Sequence, residues 1–206
     1  MEIREYTPAQ ASVLANLPLP AVHKIIERRL IRPRRRRAGR SILRMLNRQQ
    51  VLYLRLEAEG VRLLPVSARR AIAKQVEAFP GKDIVVPGGG SALVIQVKSV
   101  RQELDEDLKK LERAEEMATS DPEVMNGTPV YRGTRIPIDL VANMVRQGTQ
   151  IDEILEGYPA LDREKVELAP LYVQAFPRRG RPARRPWAKR RPVHVTRELR
   201  SLADRQ

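Results

Sequence analysis

The side chains able to do chemistry in this chain are almost all guanidinium groups. Arg34-Arg35-Arg36-Arg37 form an unbroken run, with Arg40 close behind. A second set, Arg178, Arg179, Arg181, Arg184 and Arg185, precedes the only tryptophan, Trp187. A guanidinium is charged at any physiological pH and offers a flat fork of donors, which suits phosphates and carboxylates. Acid–base and metal-binding types are scarce: there are 2 histidines and no cysteine. That excludes a disulfide framework and argues against a zinc site. The acids Asp121, Glu123, Asp139, Asp152, Glu153 and Glu156 have no nucleophile or histidine beside them. The expected chemistry is therefore binding rather than turnover, with no enzyme activity, cofactor, metal or catalytic residue.

Charge is distributed as unevenly as the arginines. Residues 1–60 carry 13 Lys/Arg against 5 Asp/Glu, residues 61–177 carry 15 against 18, and residues 178–206 carry 11 against 2. Two basic ends flank a mildly acidic middle, a pattern that fits two different acidic partners. With 42% hydrophobic and 4% aromatic residues, the core should be aliphatic and mainly helical. No apolar run reaches the roughly 20 residues needed to cross a bilayer. Nor does the polar N-terminus resemble a signal peptide, so a cytoplasmic location without membrane contact is expected.

The elements that must position the first arginine cluster lie in residues 1–60. Thr7-Pro8-Ala9-Gln10 has the form of a capping box with proline in the first turn, followed by Ala11, Val13 and Leu14. Asn16-Leu17-Pro18-Leu19-Pro20 breaks that helix and opens another, about Pro20 to Arg29, with Val22, Ile25, Ile26 and Leu30 inward. His23, Lys24, Glu27 and Arg28 then face outward. An Ala38-Gly39 turn between the basic run and Ile42-Leu43 predicts a β-hairpin, and Asn47 and Gln50 open a third helix toward Gly60. The order helix, turn, helix, wing, helix resembles the MerR-like winged-helix heads of bacterial regulators. In such a head, His23, Lys24, Glu27 and Arg28 would reach base edges in a major groove. Arg34, Arg35, Arg36, Arg37 and Arg40 would grip phosphates or a minor groove.

Residues 61–118 form an α/β connector and a possible dimerisation region. Val61–Pro65 is expected to be a strand or extended link, and Ser67 to cap a helix through Ala71, Ile72, Val76 and Phe79. Two β-branched runs around Pro87-Gly88-Gly89-Gly90-Ser91 predict a second hairpin. The glycines lack the Lys-Ser/Thr ending and following helix of a phosphate loop. Glu103–Met117 is amphipathic through Leu104, Leu108 and Leu111, a stripe expected to meet the hairpin or a second copy of the chain.

Residues 119–177 predict a compact three-helix module with the element lengths of a homeodomain-like fold. Turns at Asp121-Pro122 and Asn126-Gly127 precede a short Val130-Tyr131 strand. Pro137 opens a helix ended by Gly148, Thr149 caps the next, and Asp162 caps a last one through Val166, Leu168, Leu171 and Val173. Arg135 is expected to hold carbonyls or an acid across its turn, or else to meet a partner. The segment DPEVMNGTPVYRGTRIP, followed by GTQIDEILEGYPAL, resembles the small antitoxin domain of VapB-type proteins of type II toxin–antitoxin modules. The resemblance covers roughly Thr119 to Phe176. It implies a PIN-like ribonuclease toxin as partner, and repression of the chain's own operon through operator DNA. It also implies a tail (residues 178–206) in which Arg178, Arg179, Arg181, Arg184, Arg185 and Trp187 bind the toxin, an arginine pairing with its metal-binding carboxylates. A homodimer within a hetero-oligomer is the expected assembly.

The fold class expected is mainly α with small β-hairpins: a winged helix-turn-helix head, an α/β connector, a three-helix module and an extended basic tail. A second reading of the same residues is a stand-alone winged-helix regulator whose Arg-Gly-Arg-Pro tail is a further DNA-binding arm.

Overall fold

The computed structural model describes residues 4–39, 41–88 and 91–178. Arg40, and with residues 179–206 most of the tail, lie outside the described residues. The chain is mainly helical with small antiparallel hairpins, as its aliphatic composition predicts. No described helix is long and apolar enough to cross a membrane.

Local sequence signals set the head. Helix α1 (Pro8–Leu14) starts with the capping box: Gln10 N–H donates to Thr7 Oγ1, and Thr7 N–H to Gln10 Oε1 at 2.8 Å. Helix α2 (Leu19–Glu27) buries Val22, Ile25 and Ile26. Strands β1 (Arg34–Ala38) and β2 (Ser41–Met45) make the wing, and α3 (Arg48–Glu59) follows behind a second capping box of Asn47 and Gln50. Each such cap contributes about 1 kcal/mol. Tyr6 and Leu46 exchange both backbone hydrogen bonds at 2.7 Å, which ties the N-terminus to the base of the wing.

Beyond the head, several boundaries shift. Val61–Leu63 is a short 3-10 helix, not an extended link, because Gly60 at φ 138° turns the chain sharply after α3. Helix α4 (Val66–Ala78) begins behind Pro65, so Ser67 lies inside the helix and caps nothing, and Phe79 is left 55% exposed at its end. Strands β3 (Ile84–Gly88) and β4 (Ser91–Ile95) form the second hairpin. Helix α5 (Lys98–Glu116) starts five residues earlier than its leucine stripe suggests, and it spends that stripe inside one chain. Leu104 and Leu111 are fully buried in a core shared with α1, α3 and α4, so no stripe is left over for a second copy.

The last third is built on helices α6 (Ile138–Arg146), α7 (Ile151–Gly157) and α8 (Arg163–Ala175), with strands β5 (Ala118–Thr119) and β6 (Val130–Tyr131) pairing at its entrance. Gly148 at φ 84° ends α6, and its N–H and that of Thr149 close a Schellman turn onto Val145 and Met144. Thr149 is therefore occupied in that turn, and Gln150 rather than Thr149 sits at the cap of α7. Asp162 does cap α8, accepting from Lys165 N–H at 2.8 Å, and the Lys165 ammonium beside it holds its carboxyl below the usual range. The buried stripe of α8 is Val166, Ala169, Tyr172 and Ala175, not the Leu168–Leu171–Val173 set, which is only partly covered. Spacing by three tilts the helix so that Ala175 enters the head's core and α8 packs on α1 and α5. One helix thus belongs to both halves. Tyr131 is wholly buried and donates its hydroxyl to the Lys165 carbonyl at 3.1 Å, and burial pushes its phenol well above the usual range.

Candidate nucleic-acid interface

Arginines in the head fall into two groups. The first is paired. Helix α5 presents a row of acids to the back of the head: Arg55 meets Glu103 at 2.9 Å and Asp107 at 2.5 Å, Arg48 meets Asp105, and Arg4 meets Glu112 and Glu115 at 2.8 and 2.6 Å. Five acids of α5 are thereby spent on three arginines of the head. The second group lies along α2 and the wing. Among the described residues, Arg28, Arg29, Arg32, Arg35, Arg36, Arg37 and Arg44 make no ion pair, and Arg34 has only Glu5 at 3.6 Å.

The wing's register makes that second group denser than its sequence suggests. Arg35 stands directly opposite Arg44, with Arg34 and Arg36 on one face of β1 and Arg35 and Arg37 on the other. Like charges directly opposite across two strands repel. All four arginines of β1 are exposed, so the strand is held by its backbone ladder and not by side-chain packing. Such a hairpin is favoured when an external polyanion lies between its arginines.

Two grooves flank the wing. One, of about 1090 Å³, is bounded by Arg4, Arg34, Arg36 and the start of α3; the other, of about 530 Å³, lies between the wing and the end of α2, lined by Glu27, Arg29, Arg32, Arg35 and Arg44. Arg32 and Arg35 line both. The Arg32 backbone is fixed by buried Gln50, whose amide donates to the Arg32 carbonyl at 3.1 Å and to Glu77 at 2.9 Å. On α2 Lys24 and Glu27 are exposed and His23 is half-buried, on the face opposite Val22, Ile25 and Ile26, and Arg28 at its C-cap is exposed. Of the expected base-reading set, Glu27 lines the groove beside the wing, and His23, Lys24 and Arg28 lie on the same outward face of the chain around it.

Three basic residues of this surface escaped the sequence reading: Arg29, Arg32 and Arg44. Arg44 follows from the hairpin register once the turn is placed one residue later than Ala38-Gly39. Arg29 has a subtler origin. Helix α2 ends in a Schellman turn, with Arg29 N–H bonded to Ile26 O at 2.9 Å and Leu30 N–H to Ile25 O at 3.2 Å. Arg29 holds the left-handed position at φ 56°. Helix α1 ends in the same turn with Asn16 at φ 52°, and α6 with Gly148. Asparagine and glycine suit that position; arginine holds it at about 1 kcal/mol of strain. The strain places a guanidinium in the groove beside Glu27.

Behind the surface, a buried network locks α3 to α4. Arg69 donates to both oxygens of Glu57 at 2.8 and 2.7 Å, and the Tyr53 hydroxyl donates to the same carboxylate. Burial, then the bond to Glu57, push the Tyr53 phenol well above its usual range.

At the other end, only Arg178 of the expected toxin-binding set is described. It donates to Thr128 Oγ1 at 2.8 Å and lies 3.8 Å from Asp139, over a small cleft walled by Tyr172 and Phe176, whose rings stack at 4.8 Å. Arg179, Arg181, Arg184, Arg185 and Trp187 lie outside the described residues, as does Arg40. In the nearby turn it is Arg132, not Arg135, that holds carbonyls: its Nε donates to Glu116 O at 2.9 Å and Nη2 to Ala118 O at 3.3 Å. Arg135 is exposed and, among the described residues, makes no side-chain hydrogen bond or ion pair, since Arg132 already occupies the carbonyls at the entrance of the module.

The stretch that holds this turn also carries the match to known proteins. Residues 119–173 match the family described as "Protein of unknown function (DUF433)". That match spans β5 through most of α8, so the DUF433 stretch includes the helix shared with the head. A curated relative, "Uncharacterized protein y4eO" of Sinorhizobium fredii (strain NBRC 101917 / NGR234), is 43% identical over 89 residues, which are 43% of this chain and 40% of that protein. This chain thus spans less than half the length of the relative it matches. A solved structure described as the X-ray crystal structure of Rv2018 from Mycobacterium tuberculosis aligns over 82% of this chain and 98% of its own, with 12% identity and a TM-score of 0.32.

Proposed function

We propose that the protein is a DNA-binding antitoxin of the VapB type, holding operator DNA with its winged head and a PIN-like ribonuclease toxin with its tail. The observation that carries the DNA half is the sorting of the arginines: α5 neutralises one side of the head, while the α2–wing side keeps its guanidiniums for an external polyanion. Lys24, Glu27, Arg28 and His23 read base edges, and Arg29, Arg32, Arg34–Arg37 and Arg44 grip phosphates on both sides of the wing. The toxin half rests on the resemblance of Thr119 to Phe176 to VapB-type antitoxin domains and on the Arg/Pro tail that follows. In this reading the DUF433 stretch sets the geometry between the two ends, since α8 touches the head and leads directly into the tail.

The test uses DNA from upstream of the chain's own reading frame and the nuclease expected from the adjacent one. Removing residues 178–206 should abolish toxin inhibition and leave operator affinity within a few-fold of the full chain. Full neutralisation by the truncated protein overturns the tail assignment. The second reading, a regulator whose tail is another DNA arm, is favoured by the tail's 11 Lys/Arg against 2 Asp/Glu. It predicts instead that the same truncation weakens DNA binding and flattens its salt dependence.

A further inference from the structure

We infer that the chain forms a two-fold dimer in which β4 pairs antiparallel with β4 of a second copy, joining two hairpins into one four-stranded sheet.

The two edges of the second hairpin are treated in opposite ways. The Gln75 side chain accepts from Val85 N–H at 3.1 Å and donates to Val85 O at 2.8 Å. Both backbone groups of Val85 therefore point away from β4, and the amide of Gln75 stands in for a neighbouring strand. Two residues along, Pro87 has the same orientation and no N–H to offer, a common way of closing an edge. The outer edge of β3 is thus closed twice. Val94 and Ala92 stand directly opposite Val85 and Pro87, so their backbone groups point outward from β4. Among the described residues neither of these groups meets a hydrogen-bond partner. There is no proline, charge or bulge in Ala92–Ile95 to discourage pairing.

The faces agree with the edges. Ile84 is buried and Val86 and Ile95 rest against the main core, with Leu93 on that face left 46% exposed toward the hairpin tip, while Val85 and Val94 on the other face are 45% and 54% exposed. Residues 84–97 contain no charged side chain in a chain of net charge +14. A contact made here brings no like charges of the two basic chains against each other. An antiparallel strand pairing with itself is self-complementary by symmetry, which is what a two-fold contact needs. Centred on Val94, it lets each Val94 exchange both hydrogen bonds with its counterpart, while Ala92 faces Gln96 of the second copy. A copy of this chain fits the edge in length, charge and register, and the pairing does not depend on what the head binds.

Sedimentation velocity of the full chain at micromolar concentration should give twice the chain mass. Val94→Lys puts two ammonium groups against each other at the axis and should weaken the dimer at least tenfold, with an unchanged circular-dichroism spectrum. A cysteine-free chain allows a second measurement that does not depend on that variant: Val94→Cys should be cross-linked between copies by a short bismaleimide, and Val85→Cys, one strand removed from the axis, should not. A monomeric wild-type chain, meaning that the edge is free or serves some other protein, overturns the inference. So does a Val94→Lys protein that stays dimeric, or equal cross-linking at positions 85 and 94.

Discussion

The two five-residue hairpins share a backbone plan and oppose each other in chemistry. In the first, Arg34–Ala38 against Ser41–Met45, arginines face each other across the strands and every side chain of β1 is exposed. In the second, Ile84–Gly88 against Ser91–Ile95, no side chain is charged, and Ile84, Val86 and Ile95 at its base pack into the core. A hairpin that repels itself is suited to a polyanion; one that is neutral and open along an edge is suited to another strand. The backbone of a hairpin therefore says little about its use. What separates the two is which groups are left without partners: guanidiniums in one, an N–H and C=O row in the other.

The largest change should come from cutting the joint between these hairpins. Glu57 on α3 and Arg69 on α4 connect the helix that follows the wing to the helix that precedes β3. Glu57→Gln leaves a buried guanidinium without its counter-charge and should lower unfolding free energy by about 3–5 kcal/mol, read by urea denaturation. If the loss is under about 1 kcal/mol, the pair is not what holds the hairpins in place.

Next in size is the wing itself. The double change Arg35→Ala and Arg44→Ala removes two facing charges and should reduce the slope of log affinity against log salt by about 2, measured by anisotropy on duplex DNA. The same variant should be no less stable than the parent, since a repulsive pair is gone. An unchanged slope would take the wing out of the interface.

The smallest effect sharpens the comparison at one residue. Arg29→Gly relieves left-handed strain of about 1 kcal/mol and returns part of it as unfolded-chain entropy, for a net gain of about 0.5 kcal/mol. DNA affinity should fall nonetheless. If stability rises and affinity does not change, Arg29 sits in the groove without a task there.

Much of the fold was legible because its signals are local. The Thr7–Gln10 and Asn47–Gln50 capping boxes, the Asp162 cap and the glycine at 148 each act within a few residues, and each stands where the sequence placed it. The errors arose where a local signal was outranked. Thr149 is a good cap, yet the Schellman turn of α6 takes it first. Leu168, Leu171 and Val173 are larger than Ala169 and Ala175, yet the smaller residues face inward, because close approach of α8 to α1, α5 and α6 leaves room only for them. Pro170 did not mislead: the helix expected through Val173 runs on to Ala175, because packing on α1, α5, α6 and α7 outweighs one missing hydrogen bond. Arg135 looked structural in its turn; the neighbouring Arg132 does that work.

The sequence by itself determined that the positive charge is carried mainly by arginines gathered toward the two ends, that α1 and α3 open at capping boxes and α8 at an Asp cap, and that the chain carries one basic and one neutral hairpin. Those properties follow from residue type and from hydrogen bonds that close within a turn. Only the tertiary structure decided which of the described arginines are paired. Arg48 pairs with Asp105 and Arg55 with Asp107 across more than fifty residues, and Arg4 with Glu112 across more than a hundred. No spacing in the chain announces pairs so distant, because an ion pair depends on where two helices come to rest. The same holds for Gln75, an ordinary helix residue until α4 lies beside β3 and its amide closes one edge of a hairpin, leaving the other open.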